Sequence, residues 1–206
     1  IHYFTLSAKQ NDKLGQCLLG IIYSEGQGIP RDIYKAIHYL TLSSNQNYYV
    51  AQFLLGITYY KETSITDHIQ KSIYYLKLSA DHNYSYAQFY LGFIYYEGIH
   101  ISQDIKKAIH YFTISAEQNN PNSQYFLGMI YLKGLHVNQN VKKALYFFTS
   151  SLKIYDTSLF SFRSDALYQL GFLYYNQIHI QRDIKKAIKY LSEAADLYND
   201  NAQYYL

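Results

Sequence analysis

Apolar residues return along this chain at helical spacing. Between residues 84 and 119, Ala87, Leu91, Ile94 and Tyr95 fall at i, i+4, i+7 and i+8, and Ile105, Ala108, Ile109 and Phe112 mark one face of a second segment. That period predicts two amphipathic helices joined by a polar loop. In the first such pair the loop reads Glu25-Gly26-Gln27-Gly28-Ile29-Pro30, and Asp32, Asp104 and Asp183 stand where second helices begin. Aspartate there accepts bonds from unpaired amide groups and suits the positive helix end. Asn47, Asn83 and Asn119 stand where second helices stop. Asparagine tolerates the left-handed conformation common at helix ends.

The pair is repeated. Leu-Gly recurs at Leu19-Gly20, Leu55-Gly56, Leu91-Gly92, Leu127-Gly128 and Leu170-Gly171, with glycine spacings of 36, 36, 36 and 43. Lys35-Ala36, Lys71-Ser72, Lys107-Ala108, Lys143-Ala144 and Lys186-Ala187 keep the same step, as do Tyr23, Tyr59, Tyr95, Tyr131 and Tyr174. The organisation read from this is one all-α solenoid domain over 1–206. Full repeats occupy 12–47, 48–83, 84–119, 120–162 and 163–198, with partial repeats at 1–11 and 199–206. With both ends inside a repeat, the expectation is a segment of a longer protein whose outermost helices fray or associate.

Each recurring residue has a packing role. Gly20 and its counterparts allow close helix approach, Ala51, Ala87 and Ala166 do so one turn earlier, and the tyrosine three residues after the glycine fills the space below. A single pair leaves an apolar face open on each side, so stability must come from stacking on neighbours.

The row Leu19-Gly20-x-x-Tyr23-x-x-Gly26-x-Gly28-Ile29-x-x-Asp32-x-x-Lys35-Ala36-x-x-Tyr39 resembles the consensus of the Sel-1-like repeat family, relatives of tetratricopeptide repeats. A plain tetratricopeptide array fits less well, because its period is about 34 residues and it lacks the glycine-rich loop. The resemblance implies a right-handed superhelix of antiparallel helix pairs and a noncatalytic scaffold or adaptor that holds other proteins or peptides. Departures fall in two repeats. Ser72 replaces the alanine, Glu62, Thr63 and Ser64 replace loop glycines, and Asp67-His68 shifts the acidic residue, while Gln177 and His179 stand where Gly26 and Gly28 stand in the first loop. A different backbone shape is expected in those loops.

Composition removes several function classes. Lys plus Arg number 18 against 15 Asp plus Glu, a net charge of +3 that is too small to imply nucleic acid or anionic lipid. One cysteine, Cys17, makes no internal disulfide, and no run approaches the roughly 18 apolar residues of a membrane span. No cofactor is expected. His100, His136 and His179 occupy equivalent loop positions, but equivalent residues of a solenoid are spread along the array, whereas ligands must lie within about 2 Å of one ion. Cys17 stands where other repeats carry Phe53, Phe89, Tyr125 and Tyr168, and reads as a packing substitute. Gly26-Gln27-Gly28 lacks the dinucleotide-binding pattern, and no nucleophile, base and orienting group are singled out. The sequon Asn83-Tyr84-Ser85 stands alone at a helix junction.

The candidate surface is aromatic. Phe53 and Tyr60, then Phe89, Phe93 and Tyr96, then Tyr125 and Met129, then Tyr168, Phe172 and Tyr175 recur along first helices. Two roles fit this stripe, packing between neighbouring repeats or a groove for an extended peptide or partner helix. The seven extra residues of the fourth repeat fall in 152–165, with Phe160 and Phe162 among them. About one added turn on each flanking helix would absorb them, and a protruding binding loop is the other reading. Two further contexts fit the scaffold: a docking region of a multidomain enzyme such as a protein kinase, or a lumenal adaptor in endoplasmic reticulum-associated degradation. A single thiol and a single sequon favour the cytoplasm.

Overall fold

The computed structural model describes residues 1–26, 28–154, 162–176 and 181–205. Among them the regular structure is helical throughout. The chain forms two compact units, 1–91 with 99–101, and 92–98 with 102–206.

The first unit holds α1 (His2–Lys9), α2 (Lys13–Glu25), α3 (Ile33–Ser44), α4 (Tyr49–Lys61), α5 (His68–Asp81) and the opening turns of α6 (Ser85–Glu97). The hairpin α2/α3 shows how the repeat signature folds. A methyl group built on Gly20 would meet the Leu40 side chain, so glycine is what lets the helices touch there. Tyr23, one turn on, stacks on Tyr39 at 5.7 Å, and the Lys35 ammonium lies 5.3 Å above the Tyr23 ring. Contacts that advance on one helix and retreat on the other make the pair antiparallel. Asp32 caps α3 through the Lys35 amide and pairs with the Lys35 ammonium at 3.2 Å. The lysine of the signature therefore neutralises the cap and covers the tyrosine.

The hairpin α4/α5 repeats this arrangement with Gly56 against Leu76 and Tyr59 stacked on Tyr75 at 5.8 Å. Ser43 and Ser79 each donate a 2.8 Å hydrogen bond from a second helix to the opening of the first, at Lys13 and Tyr49. Cys17, Leu40, Ala51, Leu55 and Tyr59 form one buried cluster that joins the two hairpins. Burial pushes the Cys17 thiol up to about 11, which keeps it protonated and unreactive.

The second unit continues with the rest of α6, then α7 (Ile105–Glu117), α8 (Pro121–Lys133), α9 (Val141–Ser151), α10 (Arg163–Asn176), α11 (Ile184–Asp196) and α12 (Asp200–Tyr205). Its hairpins stack Tyr95 on Tyr111 at 6.0 Å, Tyr131 on Phe147 at 5.7 Å and Tyr174 on Tyr190 at 6.1 Å. Lys107, Lys143 and Lys186 cover the first ring of each pair. Here Gly92 and Gly128 face the rings of Phe112 and Phe148, and Gly171 faces Leu191.

Several sequence expectations are met in place. Asn11, Asn47, Asn83 and Asn119 all adopt the left-handed conformation, with φ between 56° and 61°. The divergent second loop differs as expected: α4 is followed by Glu62 with φ of −92° in place of a left-handed glycine, and the left-handed residue is Asp67. His100 and His136 occupy the Gly28 position and take φ of 63° and 55°, as Gly28 takes 72°. The added turns expected beside the insertion do not form. Helix α9 stops at Ser151, where the pattern of α7 would carry it to residue 153, and α10 begins at Arg163, one residue early.

Candidate protein-binding surface

The aromatic stripe packs largely within its own unit. In the first unit the Phe53 ring meets Tyr84, Tyr90 and Tyr86 at 5.1, 5.7 and 6.4 Å, and Tyr60 meets Tyr90 at 6.4 Å. Phe89 is 2% exposed and offers nothing to a partner. In the second unit Phe93 and Tyr96 close on Phe126 at 5.5 and 5.1 Å. Tyr125 is buried, which holds its phenol pKa well above the ordinary value, and Met129 is half-buried. Tyr168 and Phe172 meet Tyr205 of α12 at 6.2 and 5.8 Å. Tyr175, also 5.9 Å from Tyr205, is the stripe residue left exposed, at 42%.

Three aromatic residues that organise this packing were not singled out by sequence. Tyr84, Tyr90 and Phe126 receive the rings of the preceding first helix. Tyr90 and Phe126 each follow a stripe residue directly, so a broader reading of the same helical face would have included them.

Phe162 stacks on Tyr125 at 5.1 Å and meets the Phe126 edge at 4.9 Å, so this end of the insertion is tied to α8. The neighbouring Arg163 guanidinium donates to the Leu152 carbonyl at 2.9 Å, which closes the base of the segment. Phe160, like Gln177 and His179, lies outside the described residues.

Among the described residues, the outer face of second helices carries large exposed rings. In the first unit that face carries Tyr34 at 77% exposure and Tyr74 at 57%, and in the second unit Tyr146 at 64%. Between α7 and α9 a cavity of about 350 Å³ opens beside Ala116, Leu127, Phe147 and Ser150, with Glu117 and Lys153 at its rim. A smaller one of about 160 Å³ lies in the first unit beside Ile21, Leu40 and Leu54, next to the Arg31–Glu62 ion pair.

Several titratable groups have structural partners. The backbone amide of Lys107, then its side chain, hold the Asp104 carboxyl below its ordinary range, and Asp32 and Asp183 are lowered in the same way. Asp165 is raised by burial, although the Asn199 amide donates to it at 3.2 Å. His68 and His100 touch edge to face at 4.9 Å, a contact between the first residue of α5 and the loop after α6 that spacing did not foretell. Among the described residues no group of three or more His, Cys, Asp or Glu is placed to hold a metal ion, and no helix is long and apolar enough to cross a membrane.

The Sel1 repeat family matches residues 13–48, 50–84, 85–120, 121–153 and 164–199. No curated protein matches the chain. Among solved structures, c5321, a protective antigen of uropathogenic Escherichia coli with an SLR fold, superposes with a TM-score of 0.85 at 27% identity over 98% of this chain. The chain spans 42% of the length of that protein. A Sel1 repeat protein from Oxalobacter formigenes gives 0.81 at 27% identity over 93% of this chain and 76% of its own. The immunity protein Pa5087 of Pseudomonas aeruginosa gives 0.59 at 17% identity, covering 97% and 74%, a likeness of fold alone. Five tandem matches and hairpins that repeat one set of internal contacts lead to one assignment: the chain belongs to the Sel1 repeat family, with the all-α solenoid fold of antiparallel helix pairs.

Proposed function

We propose that this chain is a noncatalytic scaffold that holds other proteins or peptides on the surfaces of its stacked helices. Sel1 repeat proteins generally act as protein-interaction scaffolds. The observation that carries the reading here is the division of labour within each hairpin. The signature residues Gly20, Tyr23, Asp32, Lys35 and Tyr39, and their counterparts, are used up in mutual packing. Large side chains such as Tyr34, Tyr74, Tyr146 and Tyr175 are meanwhile held on rigid helices in contact with water. Aromatic side chains fixed in this way offer contact area at modest entropy cost.

The test is affinity capture of partners by wild-type protein and by a Tyr60→Ser, Tyr96→Ser, Tyr175→Ser variant, with circular dichroism on both. A folded variant that loses wild-type partners supports recognition by first helices. If the variant unfolds, the stripe is core and recognition must lie on second helices. A bond-making or bond-breaking activity in the purified chain would overturn the scaffold reading itself.

A further inference from the structure

We propose that the groove between α7 and α9 is a docking site for an acidic peptide segment carrying a bulky apolar residue about four positions from its carboxylates. The proposal rests on the scaffold reading and names a partner class for one surface.

The groove has two different ends, both within the second unit. Its floor is set by the helical period. Lys106, His110, Thr113 and Glu117 lie along one side of α7, and Lys142, Tyr146, Ser150 and Lys153 along or just beyond α9. Both helices are second members of successive hairpins and run in the same direction. The lysines therefore share one end of the groove and the cavity occupies the other.

The lysine end carries uncompensated charge. Lys107 is paired with Asp104 at 3.0 Å, and Lys143 covers the Tyr131 ring. Lys106 and Lys142 are exposed, and among the described residues no carboxylate pairs with either. Helix α9 is capped by Asn140, whose side chain accepts from the Lys143 amide at 2.9 Å, so this hairpin lacks the anionic cap of its neighbours. The equivalent positions in the first unit are Tyr34 and Gln70, which makes the lysine pair a property of these repeats and not of the signature.

The other end is a cavity with partly apolar walls, where Thr113, Glu117, Asn119, Gln124, Ser150 and Lys153 supply the polar groups. The cavity of about 350 Å³ is large enough for a phenylalanine or leucine side chain, and its walls include Ala116, Leu127, Phe147 and Ile154. It opens where α9 stops short at Ser151, which turns Lys153 and Ile154 out of the helical path. Lys106 to Ala116 spans ten residues and Lys142 to Ser150 eight, or about 12–15 Å along the axes at ~1.5 Å per residue. An extended peptide covers that distance in about four residues. Carboxylates at one end and an apolar anchor at the other complement both features at once. A nucleic acid would meet the lysines but leave the cavity unfilled.

Fluorescence anisotropy with the labelled peptide Asp-Asp-Ser-Gly-Ser-Phe tests the proposal on the whole chain. Saturable binding is expected, weakened about tenfold by Lys106→Glu with Lys142→Glu, and several-fold by raising ionic strength from about 0.05 to about 0.5 M. Replacing the peptide's phenylalanine by alanine, or filling the cavity with Ser150→Leu, is expected to cost about tenfold. The peptide change and the salt series use wild-type protein, so a misfolded variant leaves the test intact. Absence of binding, indifference to the phenylalanine, or tighter binding of a single-stranded oligothymidylate would overturn the proposal. Those results would leave the scaffold reading standing if the first helices still capture partners in the tyrosine-variant experiment.

Discussion

The two units are built on one interior and wear two different surfaces. Inside, Gly20 against Leu40 in the first unit is matched by Gly128 against Phe148 in the second, and every hairpin stacks two aromatic rings under a lysine. Outside, the position that carries Tyr34 and Gln70 in the first unit carries Lys106 and Lys142 on α7 and α9, beside the larger of the two cavities described. The difference shows which positions the stacking constrains. A residue that touches its partner helix must recur, because every hairpin faces the same neighbours. A residue on the outer face is free to diverge, and the proposed recognition draws on that divergence.

The largest effect expected is at the aromatic interior of the second unit. Phe148→Ala should destabilise by ~3–5 kcal/mol in urea unfolding, since the ring is fully buried and its loss leaves a cavity against Gly128. Leu76→Ala, its counterpart in the first unit, should fall in the lower part of ~2–5 kcal/mol. Equal losses would show that the larger ring adds nothing over leucine at this contact. Next comes Gly128→Ala, whose new methyl would sit 2.6 Å from a Phe148 ring carbon and is expected to cost ~1–3 kcal/mol.

Capping separates the hairpins by pH. Asp32, Asp104 and Asp183 have carboxyls lowered chiefly by amide hydrogen bonds, so the stability they add is present above their ordinary value and lost as pH falls through the lowered one. Protection of the amides at the start of α3, α7 and α11 against exchange, taken relative to the intrinsic rate at each pH, should therefore fall on acidification. The start of α9, capped by Asn140, should not respond. Asp165 works in the opposite sense: its raised carboxyl favours the fold at low pH, and that contribution fades as pH rises through the raised value. Asp165→Asn should remove this dependence and leave the protein no less stable at neutral pH, as read from melting curves across pH.

The smallest effect expected is the most informative about surfaces. Tyr34→Lys with Gln70→Lys transplants the lysines onto the first unit and should change stability by less than ~0.5 kcal/mol. No second acidic-peptide site should appear, because the walls that accept the apolar anchor are found beside α9. A second site measured by stoichiometry would show that charge alone makes the groove.

Much of the fold was legible because its determinants are local or strictly periodic. Asn47 and Asn119 signal left-handed helix ends, Asp104 signals a cap, and Leu127-Gly128 recurs because the same close contact recurs. The candidate site was less so. Apolar periodicity marks Phe89 and Tyr125 without saying whether a neighbouring helix or a partner covers them, and in the structure both are buried. The early end of α9 was misread as an added turn, because length arithmetic carries no information on where Ser151 meets a competing bond. Its hydroxyl donates to the Phe148 carbonyl at 2.7 Å. The cavity depends on residues from three helices and a loop, none unusual alone.

The most direct measurement takes unfolding free energy and affinity for the acidic peptide on the same Lys106→Glu, Lys142→Glu protein. Recognition carried by outer faces over an invariant interior predicts unfolding within ~0.5 kcal/mol of wild type and affinity down about tenfold. A protein that loses stability with its affinity, or keeps both, would contradict it.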